Sequence, residues 1–368
     1  MVTAQPVIVY TDAGLYCPLA DVYIDPWRRV STAIITHAHS DHARPGMGRY
    51  IAHRHSAPLL RHRLGKNIRI HVVDYGEPFD IRGVRFSLHP AGHILGSAQI
   101  RVETDNDVWV VSGDYKRHPD PLAAPFEVVP CSTFITECTF GQPVYSWQSP
   151  DEVLNTIVRW AQRNAAQGVS SVVLAYSLGK AQRLFLELVQ RGLTVFVHPT
   201  IEAVHTVIRN HILDLPASPD FPTETSSAFD NNRATVVIAP SSALRNGDLA
   251  PFAPFHTADV SGWMALRESR QRRGASQGFA LSDHVDWHGI LQTIKDTGCS
   301  RVYAMHGDTR VLVRYLRERG YEADGMVTPR RTEADHDDIA ESMSDTSSSV
   351  SAAEINHVSN ADGGSITP

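Results

Sequence analysis

Thr36-His37-Ala38-His39-Ser40-Asp41-His42 is the stretch whose chemistry organises the rest of this chain. It follows the apolar run Ala33-Ile34-Ile35, which reads as a short strand. In extended chain, residues two apart point to the same side. His37 and His39 therefore present both imidazoles to a single ion. Asp41 and His42 come after the strand ends, where a turn into a helix would aim them at a second ion. Imidazole and carboxylate are the donors that divalent first-row cations take, and this loop holds four of them in six positions.

Two ions need further ligands. Three donors stand after apolar strands and beside glycines: His93 in Pro90-Ala91-Gly92-His93, Asp114 in Ser112-Gly113-Asp114-Tyr115, and His306 in Ala304-Met305-His306-Gly307. Glycine in such a place lets backbone come close to a site. The expected sets are His37, His39 and His93 on one ion and Asp41, His42 and His306 on the other, with the Asp114 carboxylate able to bridge both.

Around these motifs, residues 1–145 read as short β-branched and aromatic strands punctuated by Gly, Pro, Asn and Asp. The texture changes near Pro150. A helix with Val153, Leu154, Ile157, Val158 and Trp160 at helical spacing is followed by the strand Val172–Ala175, a helix over 181–189, the strand Val195–Val197, another helix and the strand Ala234–Ala239. Strands alternating with helices predict a parallel sheet covered on its faces. After Gly274 short strands return, with helices over 287–297 and 309–319. Residues 331–368, rich in Ser, Asp and Glu and poor in large apolar side chains, read as a disordered tail.

The length, 368 residues, fits two domains or one domain with an insertion, and 42% hydrophobic content supports a real core. Of 34 basic and 40 acidic residues, the tail takes one and eight, so residues 1–330 are near neutral. Any grip on a polyanion must come from local clusters or bound metal. No run approaches a membrane span and the N-terminus lacks a secretory pattern. Cys17, Cys131, Cys138 and Cys299 lack paired short spacing, which argues against a disulfide scaffold and fits a reducing cytoplasm.

His37-Ala38-His39-Ser40-Asp41-His42 with His93 and Asp114 resembles the metallo-β-lactamase superfamily. Glu137 in Phe134-Ile135-Thr136-Glu137, His284 in Ser282-Asp283-His284 and His306 in Met305-His306-Gly307 resemble the acidic and later histidine motifs of its β-CASP nuclease branch. Gly14-Leu15-Tyr16-Cys17-Pro18, Tyr23-Ile24-Asp25-Pro26-Trp27 and Leu178-Gly179-Lys180-Ala181-Gln182 narrow the likeness to bacterial ligase-associated DNA exonucleases. The resemblance implies an α/β architecture: an αββα metallo-β-lactamase sandwich (1–145 and 275–330) with an α/β β-CASP cap inserted at 146–274. Cys138 stands where the acidic motif usually continues with Ser or Thr, which brings a thiol near the metals.

Two metals suit phosphodiester hydrolysis. His284 is left over from both ligand sets and is free to protonate the leaving oxygen, with Glu137 orienting it. Asp25, at the end of an early strand, would hydrogen-bond ligand histidines. Gly179-Lys180 opens a helix after a strand, which makes either a phosphate site or a plain βα turn. Ser241-Ser242 could meet a terminal phosphate or form a polar loop, and Arg267, Arg270, Arg272 and Arg273 could track a nucleic-acid backbone or a solvated helix face. The expected activity is a DNA repair exonuclease, 5′→3′ by resemblance, working with a ligase and a helicase. Zinc suits the histidines, and manganese suits the carboxylates. The alternatives are a ribonuclease of the same branch, a small-molecule hydrolase, which would need neither cap nor His284, and a scaffold, which would usually have lost ligands.

Overall fold

The computed structural model describes residues 6–222, 235–266 and 276–326. The basic cluster Arg267, Arg270, Arg272 and Arg273 and the acidic tail lie outside them. Three sheets organise the chain. The first holds six strands in chain order: β1 (Val9–Thr11), β2 (Gly14–Cys17), β3 (Val22–Ile24), β4 (Thr32–Ile34), β5 (Arg49–His53) and β6 (Ile70–Val73). The second takes β7 (Phe79–Ile81), β8 (Val84–Pro90), β9 (Ala98–Glu103), β10 (Val108–Val111), β11 (Thr133–Glu137), β17 (Arg301–Met305) and β18 (Glu322–Gly325), in the order β18-β17-β11-β10-β9-β8-β7.

These two sheets face each other. Leu15, Ile24 and Ile34 from the first meet Phe86, Ile100 and Trp109 from the second in one buried cluster. Alternation explains the pairing: along β8, Val84, Phe86 and Leu88 point inward while Arg85 is exposed. The outer face of the second sheet is covered by α6 (Trp287–Thr297) and α7 (Arg310–Arg317), whose Ile290, Ile294, Leu312 and Leu316 pack on Phe134 and Val302.

The third sheet holds β12 (Ser170–Leu174), β13 (Thr194–Val197), β14 (Thr235–Ala239), β15 (Phe255–Val260) and β16 (Gln277–Phe279), all parallel, ordered β13-β14-β12-β15-β16. β12 is buried throughout, as a central strand covered on both faces must be. Helices α2 (Pro150–Ala165), α3 (Lys180–Gln190) and α4 (Pro199–His211) supply one cover. Their Leu154, Leu184 and Ile201 share a cluster with Ala33, Ile35 and Tyr50 of the first sheet's outer side and Leu59 and Leu60 of α1 (Ser56–Leu64). The carboxyl ends of β12, β14 and β15 line up, Leu174 beside Ala239 and Asp259. One edge of the sheet therefore gathers the Tyr176–Lys180 turn and α5 (Ser241–Asn246).

The loop after β4 departs from expectation. β4 ends at Ile34, so the histidine motif lies on a turn beyond the strand, and no helix follows Asp41-His42. Pro45 biases Arg44 away from helical backbone, and Gly46 (φ +91°) completes the turn into β5. Helix α1 comes only after β5. Its sequence, with Pro58 and three basic residues in its last turn, carries a weak apolar pattern, which is why reading by periodicity passes over it.

Candidate metal centre

The site forms where loops leave the carboxyl ends of β3, β4, β8, β10, β11 and β17. Among the described residues, His37, His39, His93 and Asp114 offer donor atoms all within 4.8 Å of one another; His37, Asp41 and His42 do the same, as do His42, Asp114 and His306. His37, His39 and His93 thus gather around Asp114, while of the second expected set His42 groups with Asp41 in one cluster and with His306 in another, and no cluster among the described residues holds all three. Asp114 Oδ2 lies 3.6 Å from His37 Nε2 and 3.3 Å from His42 Nε2. Asp41 Oδ2 is 3.2 Å from the same His42 nitrogen.

The outward-facing nitrogens decide whether this set fits a cation. His93 Nδ1 donates to the Asp283 carbonyl at 2.8 Å and His39 Nε2 to the Leu178 carbonyl at 2.9 Å. Burial holds the His93 and His39 pKa values below the ordinary histidine value, well below for His93, where His284 and His39 add to the effect. Both rings are then neutral with their single proton already engaged. Their remaining lone pairs, His93 Nε2 and His39 Nδ1, face each other at 3.1 Å, and His37 Nε2 approaches the same Nδ1 at 3.1 Å. Lone pairs converge in this way around a positive ion. His42 repeats the pattern. Its Nδ1 donates to Asp25 Oδ2 at 2.7 Å, while its buried Nε2 has no hydrogen-bond partner and faces two carboxylates. Burial opposes its charged form, but Asp114, Asp41 and Asp25 outweigh that and hold its pKa well above the usual value. The field that draws a proton there would equally draw a divalent cation.

The backbone is bent to deliver these groups. Asp25 and His306 both adopt left-handed conformations, φ +44° and +59°, which non-glycine residues hold only when their surroundings fix them. Asp25 is fixed by Thr36, whose N–H donates to it at 2.8 Å. At Gly113 (φ +56°), a Cβ would come within 2.7 Å of Thr36 Cβ, so only glycine lets the turn before Asp114 close against the histidine loop.

Glu137 and His284 join the cluster through Asp114, the three offering donor atoms within 4.8 Å of one another. Glu137 Oε1 accepts the Tyr115 N–H at 2.7 Å, and Oε2 lies 2.9 Å from His284 Nδ1. The His284 carbonyl accepts from Trp147 Nε1 at 2.9 Å, and Asp114 Oδ2 is 3.9 Å from His284 Nδ1. Burial raises the Glu137 pKa, with His284 opposing and Asp114 adding to the rise.

Other expected residues fare differently. Lys180 is buried, and its ammonium is spent on the Leu281 carbonyl at 2.7 Å and on Asp283 at 2.9 Å, so it is not presented to a substrate phosphate. Gly179 N–H is taken by Gln182 Oε1, and a Cβ there would meet Ile94 Cγ2 at 2.4 Å. This turn is pressed against the metal centre instead of standing open. Ser241 and Ser242 start α5 on the same sheet edge, with Ser242 buried. The Cys138 thiol is buried, donates to the Asp308 carbonyl, belongs to none of the donor groups, and has its pKa pushed up to about 12, chiefly by burial; these features make it an inert packing group. All four cysteines are free. Sequence reasoning missed the supporting layer: the Leu178 and Asp283 carbonyls, the buried charges Lys116, Arg183 and Asp283, and the covered carboxylate of Asp120. Their charged side chains carry no sequence mark of burial.

No family model matches the chain. A "probable DNA ligase" from Opitutus terrae is 30% identical over 312 residues, 84% of this chain and 30% of that protein. Cleavage and polyadenylation specificity factor 73 of Drosophila melanogaster is 31% identical over 120 residues, 32% of this chain and 17% of that protein. Transcription termination factor FttA of Pyrococcus abyssi is 30% identical over 138 residues, 36% of this chain and 21% of that protein. The chain thus spans less than a third of the length of each of these relatives. A crystal structure of a protein of unknown function from Enterococcus faecalis shares the fold, with a TM-score of 0.53 and 11% identity over 82% of this chain and 80% of that one. These relatives and the donor clusters place the chain in the β-CASP branch of the metallo-β-lactamase superfamily.

Proposed function

We propose that this chain is a metal-dependent phosphodiesterase that trims DNA ends, built as an αββα sandwich (1–145 and 275–330) with a β-CASP cap at 146–274. The observation that carries the reading is the junction at Asp114, whose carboxylate stands within 4.8 Å of the donors of His37, His39 and His93, of His42 and His306, and of Glu137 and His284. Two divalent cations held there, zinc by the histidine count or manganese by the carboxylates, would supply a hydroxide nucleophile and offset charge on the phosphoryl group. The chain's own residues do the rest. His284 would give the leaving oxygen its proton, and Glu137 fixes its ring through the 2.9 Å contact at Nδ1. A 5′→3′ polarity, cooperation with a ligase and helicase, and a cytoplasmic location belong to the same reading. Ser241 and Ser242 remain candidates for a terminal phosphate, and Arg267 and Arg270 for the backbone. Among the described residues, no helix is long and apolar enough to cross a membrane.

RNA cleavage is the second reading, because relatives named endoribonuclease YSH1, such as that of Saccharomyces cerevisiae, match 32% of the chain at 30% identity. DNA is preferred because the ligase relative matches 84%. End-labelled DNA and RNA strands of one sequence, digested while Zn²⁺ or Mn²⁺ is titrated, test both. Progressive shortening of DNA is expected, and faster loss of RNA would reverse the assignment.

A further inference from the structure

Five charged side chains are buried together beneath the metal centre. Lys116, Lys180 and Arg183 supply three cations, and Asp120 and Asp283 supply two carboxylates. Asp283 is the hub. Its Oδ2 lies 2.9 Å from Lys180 Nζ, and its Oδ1 lies 2.9 Å from Arg183 Nη1 and 3.5 Å from Lys116 Nζ. Asp120 takes the rest of Lys116, at 2.6 Å, and approaches Arg183 Nε at 3.6 Å. A buried charge without its partners is costly, so each member fixes the position of the others.

The members come from three distant segments. Lys116 and Asp120 follow Asp114, Lys180 and Arg183 lie one turn apart at the start of α3, and Asp283 immediately precedes His284. Lys180 and Arg183 also bind the carbonyls of Leu281 and Ser282, so α3 holds the backbone of two residues and the side chain of a third in the run leading into His284. The same backbone orients a ligand, because the Asp283 carbonyl accepts His93 Nδ1. On the other side of His93, the Lys116 N–H donates to the Ala91 carbonyl at 3.1 Å, and the Lys116 carbonyl sits where a Cβ on Gly92 would be. The turn before α3 completes the ring through the Leu178 carbonyl on His39.

We propose that Asp283 is a positioning residue for the metal centre, which through this buried cluster lets the β12–α3 turn of the third sheet set the rings of His93 and His39 and the backbone of His284. The proposal rests on the metal-dependent reading of the site above, and zinc binding tests it separately from activity. Asp283→Asn leaves three buried cations to one carboxylate and is expected to fold poorly. Two further variants of the full chain avoid that: Asp283→Glu, which keeps the charge and shifts it by one methylene, and Asp283→Asn with Lys180→Met, which removes one charge of each sign. Competition titration of the metal-free protein with Zn²⁺ should show binding at the His37/His39/His93 site weakened about 10- to 100-fold, as for other groups that orient metal ligands, with the metal-free melting temperature close to the parent's. DNA cleavage should fall in kcat while KM stays within about twofold, since the cluster's charges are buried and paired with one another. Zinc affinity within twofold of the parent would overturn the proposal, as would a rise in KM at constant kcat. Collapse of both balanced variants in the metal-free state would also overturn it, by making the cluster a folding element alone. A parent that binds zinc but cuts no nucleic acid would refute the functional reading and leave the zinc titration to decide this one.

Discussion

Asp25 offers the sharpest test of how the second cation position is built. Its carboxylate accepts from His42 Nδ1 at 2.7 Å and from the N–H and hydroxyl of Thr36, at 2.8 and 2.5 Å. Asp25→Ala removes all three contacts, while Asp25→Asn keeps an acceptor and removes the charge. A hydrogen bond to a charged or strongly polarised group contributes about 1.5–3 kcal/mol, which corresponds to roughly 10- to 150-fold in binding. The expected loss of zinc affinity is therefore roughly 10- to 100-fold for Asp25→Ala and about tenfold for Asp25→Asn, confined to the site of His42 and His306. The sign with pH follows from His42. Its pKa is held well above the ordinary value by Asp114, Asp41 and Asp25 against the pull of burial, so a proton competes with the cation and zinc affinity should fall as pH is lowered through that raised pKa. Without Asp25 one of the three supporting charges is gone, and the fall should begin at lower pH. Chelator competition resolving two binding steps, repeated across pH, measures both effects. Equal affinity in all three proteins would refute the assignment of Asp25, as would a loss confined to the His37/His39/His93 site.

Glu137→Gln and His284→Ala should each lower kcat by about 10²-fold or more, the usual contribution of a positioned proton donor, with zinc content by elemental analysis unchanged. Loss of zinc would instead make His284 a ligand. Gly179→Ala forces a Cβ to within 2.4 Å of Ile94 Cγ2 at φ +96°, so a destabilisation of about 1–3 kcal/mol is expected; adding Ile94→Ala should recover part of it in thermal melts. His205 on α4 is fully buried with no hydrogen-bond partner at either ring nitrogen among the described residues, the Glu202 carboxylate standing 3.6 Å from Nδ1, and its pKa is lowered to about 4, mainly by burial. The unfolded chain takes up this proton below about pH 6.5, so the stability due to neutral His205 is full above that pH and is lost as pH falls toward 4, by at most about 3 kcal/mol. His205→Leu should flatten the acid limb of a melting-temperature profile, and an unchanged limb would refute this.

Legibility in the sequence followed the range of the interactions involved. Local donor clusters were readable: His37 to His42 in six positions, and glycine-flanked His93, Asp114 and His306 at strand ends, came together in three dimensions. Regular elements were readable where periodicity was strong, as in α6 over Trp287–Thr297, and unreadable in α1, where basic residues and Pro58 obscure the pattern. The Gly179-Lys180 turn stayed open between a phosphate site and a plain βα turn for a physical reason. A lysine at a helix start looks like a phosphate ligand until one knows that Asp283, more than a hundred residues later, neutralises it in the interior. Charge pairing of this kind has no local signature, because either partner alone reads as surface.

The burial of Lys180 bears on how the third sheet acts. Had Lys180 been open, the third sheet would meet substrate through its helix start, and its link to the cations would be indirect. With Lys180 and Arg183 committed to the segment before His284, and with Leu178 holding His39, the turn beyond β12 is hydrogen-bonded directly to the donor cluster and its neighbours. A displacement at the β12–α3 turn then reaches three histidines at once: His39 through one carbonyl, His93 through the Asp283 carbonyl, and His284 through its backbone. On the outer part of the edge, Ser241 lies half-buried at the start of α5. A Ser241→Ala change there should raise KM for 5′-phosphorylated DNA by severalfold without altering zinc affinity. The opposite outcome, a change in zinc binding with KM constant, would place α5 in the framework as well and remove the last candidate for a phosphate contact among the described residues of the cap.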